Sequence, residues 1–513
     1  MAIMTLEIYG QSIKVLSKDN YGIACALEFC RSMIKYKMEN VVDTSRPGYH
    51  AQMVRVPDCT YAASPLNRAF FCIHIGQRQE FLAYLQRCGI PQDQIKIVEV
   101  PKYKATPAKL KMKDFWVDKP HQTPIIEYVI DGESLKILPV QTGGGKTYMA
   151  LKAASIFGER FMLVTRGGYI DKWIEDVKKT YDIDDSRIIV IKGEKALMRA
   201  IELAKAGDFD YDVLLVSTGG LADYIKHYEQ YLGTELGDLY LDPRALGMLF
   251  GVGLRIVDEA HQMLHMYYRI DLYSHFNKVL FLSATIIGND AMEKRIHEII
   301  YPTAKRYTGA EWKCYIVATA LRYNLNEPHK ARFKDHRKNY SHVVYEQYLM
   351  RNKEKLKNYL NMVGNLAYDF FKNRKPGQKY LIFASTVDMC NVMVADLKKR
   401  FPHLKVGRYV AEDNLEDIYE YDLTVTTPGS GGTGIDIPDL AAALATSSVS
   451  SGKLNIQMLG RLRELKNYPG EFPEYQYLVC SDIPKQVEYH KQKYELFQGK
   501  VKTHREQMTG ASV

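Results

Sequence analysis

The chain has 513 residues, carries 69 Lys and Arg against 60 Asp and Glu for a formal charge of +9, and is 46% hydrophobic. At about 150 residues per domain that length predicts three to four domains, and the composition excludes a disordered or collagen-like chain. No run approaches the roughly 18 to 20 apolar residues of a membrane span, and the opening MAIMTLEIYGQS lacks the basic and apolar regions of a signal peptide, so a cytoplasmic protein without a membrane partner is expected. Eight cysteines are scattered without a C-x-x-C pair, which argues against a zinc ribbon or a disulfide framework.

In chain order, Ile23, Leu27, Cys30 and Ile34 fall on one helical face. A second helical pattern, Phe81, Leu82, Leu85 and Cys88, stops at Gly89 before the strand-like QIKIVEV. Residues 102–118 (KYKATPAKLKMKDFWVD) are basic, Pro-bearing and aperiodic. They read as a linker that closes a small α/β N-terminal domain at residue 118. From 119 the runs LKILPV, FMLVT, RIIVIKG, DVLLVST, LRIVDEA and VLFLSAT alternate with amphipathic stretches, the pattern of a parallel sheet covered on both faces. We place that domain at 119–305. A second series, KYLIFA, LKVGRYVA, DLTVTT, AALATSS and YQYLVC, predicts another such domain within 306–513. It follows an aromatic and basic stretch whose later part (343–371) reads as long amphipathic helix. Two basic runs stand out: Lys102, Lys104, Lys109, Lys111 and Lys113, then Lys330, Arg332, Lys334, Arg337 and Lys338. Each is a candidate phosphate contact, with solvated surface as the alternative.

The strongest chemical signal is LPVQTGGGKTYMALKAA, a predicted strand leading through Thr142, Gly143, Gly144, Gly145, Lys146 and Thr147 into a predicted helix. Three glycines let backbone N–H groups close on phosphate oxygens. Lys146 neutralises β/γ charge, and the Thr147 hydroxyl can ligate Mg²⁺, so ATP with Mg²⁺ is the expected nucleotide. Val140 stands where the usual pattern has its first glycine. Downstream, the apolar strand LRIV ends in Asp258-Glu259-Ala260-His261. A carboxylate at a parallel strand's C-terminal end can reach Mg²⁺ (Asp258), and its neighbour can orient and deprotonate water (Glu259).

The ordered series GGGKT, DEAH, LFLSAT (Ser283 to Thr285), GTGIDIP (Gly432 to Pro438) and QMLGRLR (Gln457 to Arg463) resembles the superfamily-2 helicases over residues 120–465. Among their branches the chain is most similar to the phage recombination and branch-migration helicases, on its small N-terminal domain, its Leu321-Arg322-Tyr323 strand before a basic insertion, and its short C-terminal part. The resemblance implies two tandem RecA-like domains. It implies that Gln122 reads the adenine edge, that Ser283 and Thr285 link nucleotide state to strand grip, and that Gly434 and Asp436 face nucleotide. Thr165, Arg166 and Gly167, with Ser217 and Thr218, fall where the family contacts backbone phosphates; helix capping is the competing role. Gln457, Arg461 and Arg463 match the motif that supplies an arginine finger from the second domain. The second arginine falls one position early, with Glu464 in the usual place, and if the segment starts a helix that shift turns the side chain by about 100°. Arg461 is then the preferred finger.

These implications point to an ATP-dependent DNA helicase or translocase on single-stranded, forked or junction DNA. The alternatives are an RNA helicase, a duplex translocase that separates no strands, and an ATP-gated clamp. If phage-encoded, the chain acts in a bacterial cytoplasm. The basic insertion, with Phe333 and Tyr340 beside it, is expected to project and to serve as a wedge at a junction. Oligomeric state is not written in the sequence.

Overall fold

The computed structural model describes all residues except 1, 44–49, 64–69, 142, 285, 287, 289, 310–311, 411–412, 414–415 and 432–436. Thr142, Thr285, Gly434 and Asp436 therefore lie outside the described residues. Backbone contacts divide the chain into two compact units, residues 1–140 with 144–310, and residues 311–513 with 141–143.

In the first unit, β1 (Met4–Ile8), β2 (Ser12–Ser17), β5 (Phe71–His74) and β6 (Ile95–Glu99) form a sheet in the order β5-β2-β1-β6, while β3 (Ile34–Asp43) and β4 (His50–Thr60) pair as a separate antiparallel ribbon. Six parallel strands follow: β7 (Leu135–Pro139), β8 (Phe161–Thr165), β9 (Ile188–Ile191), β10 (Val213–Ser217), β11 (Leu254–Val257) and β12 (Val279–Ser283), in the order β7-β12-β11-β8-β10-β9. Their side chains alternate between two cores. Leu138, Leu163, Leu215, Ile256 and Leu282 pack on one face with Trp173 and Met149, whereas Ile137, Val164, Val216, Val257 and Phe281 pack on the other. Both faces are buried, as the unbroken apolar runs require.

The second of these cores is shared with the N-terminal sheet, so Leu6, Ile13, Val15 and Ile73 belong to the same cluster as Ile270, Leu272 and Phe276. Polar groups fix the join. The Gln11 amide donates to the Phe276 carbonyl at 3.1 Å and accepts from the Phe276 N–H at 2.7 Å, the Gly10 N–H donates to His275 Nδ1 at 2.9 Å, and the Tyr268 hydroxyl donates to Gln77 at 2.7 Å. Buried Arg244 donates to Cys72 and to the Leu272 carbonyl, and its guanidinium faces the rings of Tyr9, Phe70 and Tyr273. The lysine-rich stretch 102–118 is a strap laid along the first RecA-like sheet. Thr106 N–H donates to Gly251, Ala108 N–H to Gly158, and Lys113 N–H to Thr180, while Leu110 is buried.

The second unit holds seven parallel strands, β13 (Val317–Asn324), β14 (Lys379–Phe383), β15 (Val406–Tyr409), β16 (Leu423–Thr426), β17 (Leu440–Ala445), β18 (Glu474–Cys480) and β19 (Thr503–Ser512), in the order β15-β16-β14-β17-β18-β13-β19. The architecture is thus α/β with two RecA-like parallel sheets and a small N-terminal α/β region. The long helix expected over 343–371 is two helices, His342–Arg351 and Lys353–Asn373. Asn352 adopts extended backbone between them and its side chain caps the second by accepting from Lys355 N–H, a role Asn fills better than continuing a helix.

Because Gln11 satisfies both backbone groups of buried Phe276, Gln11→Ala strands a donor and an acceptor at about 1–3 kcal/mol each. Urea unfolding of the variant is expected to show a loss of about 3 kcal/mol. A chain starting near residue 115 would lose all of these partners at once and is expected to unfold at a lower urea concentration still.

Candidate nucleotide and nucleic-acid site

The phosphate loop lies between β7 and the helix Lys146–Phe157. Gly143 and Gly145 hold φ of 83° and 87°, the left-handed region that favours glycine. At residue 145 a Cβ would also come 2.5 Å from Gln122 Nε2. Gln122 is therefore a buried neighbour of the loop, and its Oε1 accepts from Lys119 N–H at 3.0 Å. Lys146 is buried and donates to the Val140 carbonyl at 2.9 Å, so its ammonium is held at the mouth of the loop. Thr147 is half-buried on the first helical turn.

Asp258 and Glu259 follow the end of β11. The Asp258 N–H donates to the Val164 carbonyl of β8 at 3.2 Å, and its carboxylate accepts from the Trp173 indole at 2.8 Å. Burial and then the neighbouring Glu259 charge raise the Asp258 pKa, against the opposing pull of the Trp173 bond and of Lys146. Two carboxylates that resist sharing negative charge beside a phosphate loop form a site suited to a cation. Among the described residues no cluster of three or more His, Cys, Asp or Glu could hold a metal by itself. Mg²⁺ in a nucleotide site is commonly held by one or two protein oxygens together with the nucleotide's own phosphates. Asp258 and Thr147 would hold it, and it would supply charge neutralisation at the phosphates. Glu259 sits at φ 47°, a left-handed backbone rare outside glycine. His261 is buried, with Nδ1 2.9 Å from Ser283 Oγ and 3.3 Å from Glu259, so the DEAH box is bonded to the end of β12.

The other expected positions separate by exposure. Thr165 is fully buried, and its hydroxyl has no hydrogen-bond partner among the described residues. Arg166 and Gly167 are exposed in the turn after β8, and Arg166 donates to Gln262 at 3.2 Å. Ser217 caps the helix Thr218–Tyr231 by accepting from Gly220 N–H, and also accepts from Gly193 N–H. Thr218 is buried against Tyr267. Trp173 and Tyr267 carry no motif signature. Their only trace in the sequence is an aromatic at a buried helical position, the same trace that core packing leaves.

In the second unit, Gln457 and Arg461 are buried and Arg463 is half-buried. The expectation that this segment starts a helix is corrected. Gln457 lies in the helix Gly452–Leu459, which Gly460 ends; Arg461 follows on a turn and Arg463 in irregular backbone beyond it. The 100° argument therefore does not apply. Arg461 Nε reaches back to the Gln457 carbonyl at 3.4 Å and Arg463 to the Gly460 carbonyl at 3.1 Å.

In the basic insertion Lys330, Arg332, Lys334, Arg337 and Lys338 are all exposed. Asp335 folds the tip by accepting from Arg337 and Asn339 N–H groups, and Lys330 pairs with Glu327 at 2.5 Å. The wedge expected of Tyr340 is corrected: its hydroxyl bonds His342 Nδ1 at 2.7 Å and accepts from Gln486 at 2.9 Å, its ring meets Tyr489, and Phe333 packs against the same core. An aromatic with its polar tip satisfied inside the domain is not displayed for stacking.

Two RecA-like sheets, with a phosphate loop and a strand-end carboxylate pair on the first, define a nucleotide-hydrolysing motor architecture. Residues 119–293 match the DEAD/DEAH box helicase family. The chain therefore carries a DEAD/DEAH box helicase domain of superfamily 2, and as an enzyme it is an ATP-dependent nucleic-acid helicase. Among solved structures, S. cerevisiae Dbp5 bound to RNA and ADP BeF3 aligns with a TM-score of 0.50 at 13% identity, over 77% of this chain and 91% of that one. The Pyrococcus furiosus Hef helicase domain aligns with a TM-score of 0.46 at 13% identity, over 75% and 100%. No curated protein matches in sequence. Among the described residues no helix is long and apolar enough to cross a membrane.

Lys146→Ala is expected to cut steady-state ATP hydrolysis more than tenfold, at least about 1.4 kcal/mol of transition-state stabilisation. Trp173→Phe keeps the ring but removes the indole N–H from Asp258, and a fall in kcat of about tenfold is expected.

Proposed function

We propose that the protein is an ATP-driven motor on DNA that acts on forked or junction intermediates of recombination and replication in the cytoplasm, that of a bacterial host if it is phage-encoded. The observation that carries the reading is the assembly of Gln122, Lys146, Asp258 and Glu259 around one phosphate loop, with Ser283 tied to that box through His261. ATP with Mg²⁺ is held there by Lys146, Thr147 and Asp258, while Glu259 orients and deprotonates water. The motor adds a docked N-terminal α/β region and two exposed basic segments to its RecA-like sheets, which supports a branched duplex over a simple single strand. Arg461 is the finger in this reading because it keeps its place in the Gln457-x-x-Gly460-Arg pattern, from which Arg463 is shifted by one position.

The deciding experiment compares ATP hydrolysis stimulated by single-stranded DNA, forked DNA, a four-way junction and single-stranded RNA. The expected order places the branched DNAs first. Preferential stimulation by RNA would replace the reading with an RNA helicase. Strand displacement absent under full DNA stimulation would leave a non-unwinding translocase or a clamp. Arg461→Ala is expected to keep ATP affinity while lowering turnover about 10³-fold; the same loss in Arg463→Ala, with Arg461→Ala unaffected, would reassign the finger. Replacing Lys330, Arg332, Lys334, Arg337 and Lys338 together by alanine is expected to lower the salt-dependence slope of junction binding by about 2 to 4, at roughly 0.9 per lost phosphate contact. An unchanged slope would return the insertion to ordinary solvated surface.

A further inference from the structure

Tyr267 lies in the helix Leu264–Asp271 and is 2% exposed. Its hydroxyl is 3.1 Å from the main-chain carbonyl of Asp258 and 3.3 Å from Thr218 Oγ1. A carbonyl can only accept, so the tyrosine proton goes to Asp258, and the Thr218 hydroxyl must then donate to the tyrosine oxygen. The bonds form a directed chain, Thr218 to Tyr267 to Asp258. Thr218 opens the helix Thr218–Tyr231, and Ser217 beside it is that helix's cap. The turn that would meet a nucleic-acid phosphate is thus joined, through one buried hydroxyl, to the backbone of the residue that would hold the metal.

Two further tethers run in parallel, one from the turn after β8 and one from the helix that follows it. Arg166 donates to Gln262, three residues past Glu259 in the chain, and Trp173, in the helix Ile170–Thr180, donates to the Asp258 carboxylate. Tyr267 differs from both. Arg166 is exposed to solvent and to ligand, and Trp173 grips the carboxylate directly, whereas Tyr267 is sealed from both substrates and touches each site only through protein.

We propose that Tyr267 is a positioning residue that transmits strand engagement at the Ser217–Thr218 turn to the hydrolytic box at Asp258. The proposal rests on the reading of that turn as a strand contact. A phosphate drawn to the N-terminal end of the helix Thr218–Tyr231 displaces Thr218. The displacement passes along the Tyr267 hydroxyl to the Asp258 carbonyl and re-aims the carboxylates that follow β11. Because interiors are close-packed, a shift of a few tenths of an ångström at one end has no void to disappear into.

The test measures, in the full-length protein, the ratio of ATP hydrolysis with saturating oligonucleotide to hydrolysis without it, for wild type, Tyr267→Phe, Thr218→Val and the double variant. A labelled dT20 oligonucleotide supplies the binding constant. Tyr267→Phe keeps the ring and loses only the hydroxyl. The ratio is expected to fall roughly fivefold, the scale of one buried hydrogen bond, while the oligonucleotide Kd moves by less than about twofold. The double variant is expected to match the single ones, since all remove the same link. A role in folding alone would lower the thermal midpoint and leave the ratio intact, and that result overturns the proposal. Full additivity of the two substitutions overturns it as well. A wild type that binds dT20 but is not stimulated by it overturns the coupling. A wild type that binds and responds to no polynucleotide overturns the underlying strand-contact reading, and the two failures are distinguished by the binding constant.

Discussion

The geometry of the first RecA-like domain converges on Asp258, a half-buried carboxylate fixed by three different elements. Its N–H is bonded to β8, its carboxylate to Trp173, and its carbonyl to Tyr267. Burial and the adjacent Glu259 make that carboxylate costly to ionise, and such a group is worth holding rigidly, because its charge becomes favourable only when positive charge is delivered to one place. Lys146 stands at the loop mouth and lowers the cost in part. The left-handed φ of Glu259, the residue that follows Asp258, marks strained backbone at the same place.

The same constraint explains why the N-terminal region is built into the first unit. The helix that carries Tyr267 also carries Tyr268 and Asp271, which bond Gln77, in the turn after β5, and His74, the last residue of β5. Asp271 is 1% exposed and pairs with Arg255 on β11. The helix Leu264–Asp271 therefore has one side against the hydrolytic box and the other against the N-terminal sheet. Whatever that sheet engages is mechanically close to the chemistry within this unit.

Most of the architecture was legible because its signal is periodic. Unbroken apolar runs such as FMLVT and DVLLVST became strands buried on both faces, and the Gly-rich loop and DEAH box fell at strand ends as their chemistry requires. What escaped had a local signal that tertiary packing overrode. β19, THREQMTGAS, has no buried residue and no apolar run, yet it pairs with β13 from Val317 to Arg322 and again at Asn324 after a register shift. The 102–118 stretch looks like a linker by composition, but its backbone N–H groups find carbonyls of the first sheet domain. The break at Asn352 is a single-residue cap inside a pattern that is otherwise helical. Trp173 and Tyr267 were unreadable for a different reason: a buried aromatic declares its burial in the sequence, and its hydrogen-bond partner only in three dimensions.

The second domain shows how an exposed charged segment can be presented from a firm base. Below the basic tip, Tyr340 bonds His342, whose Nδ1 also accepts from Ser448 N–H, and Glu346 one turn on accepts from Ser385 N–H and Thr386 Oγ1 at the end of β14. Burial drives His342 down to about 3 and Glu346 up to about 7, so the His342 link is neutral at physiological pH and is made of hydrogen bonds. Neutral buried bonds are nearly insensitive to ionic strength, whereas contacts between exposed cations and phosphates weaken steeply with salt. The base and the tip of the insertion therefore answer to different variables: salt acts on what the tip can touch and leaves the scaffold that aims it in place.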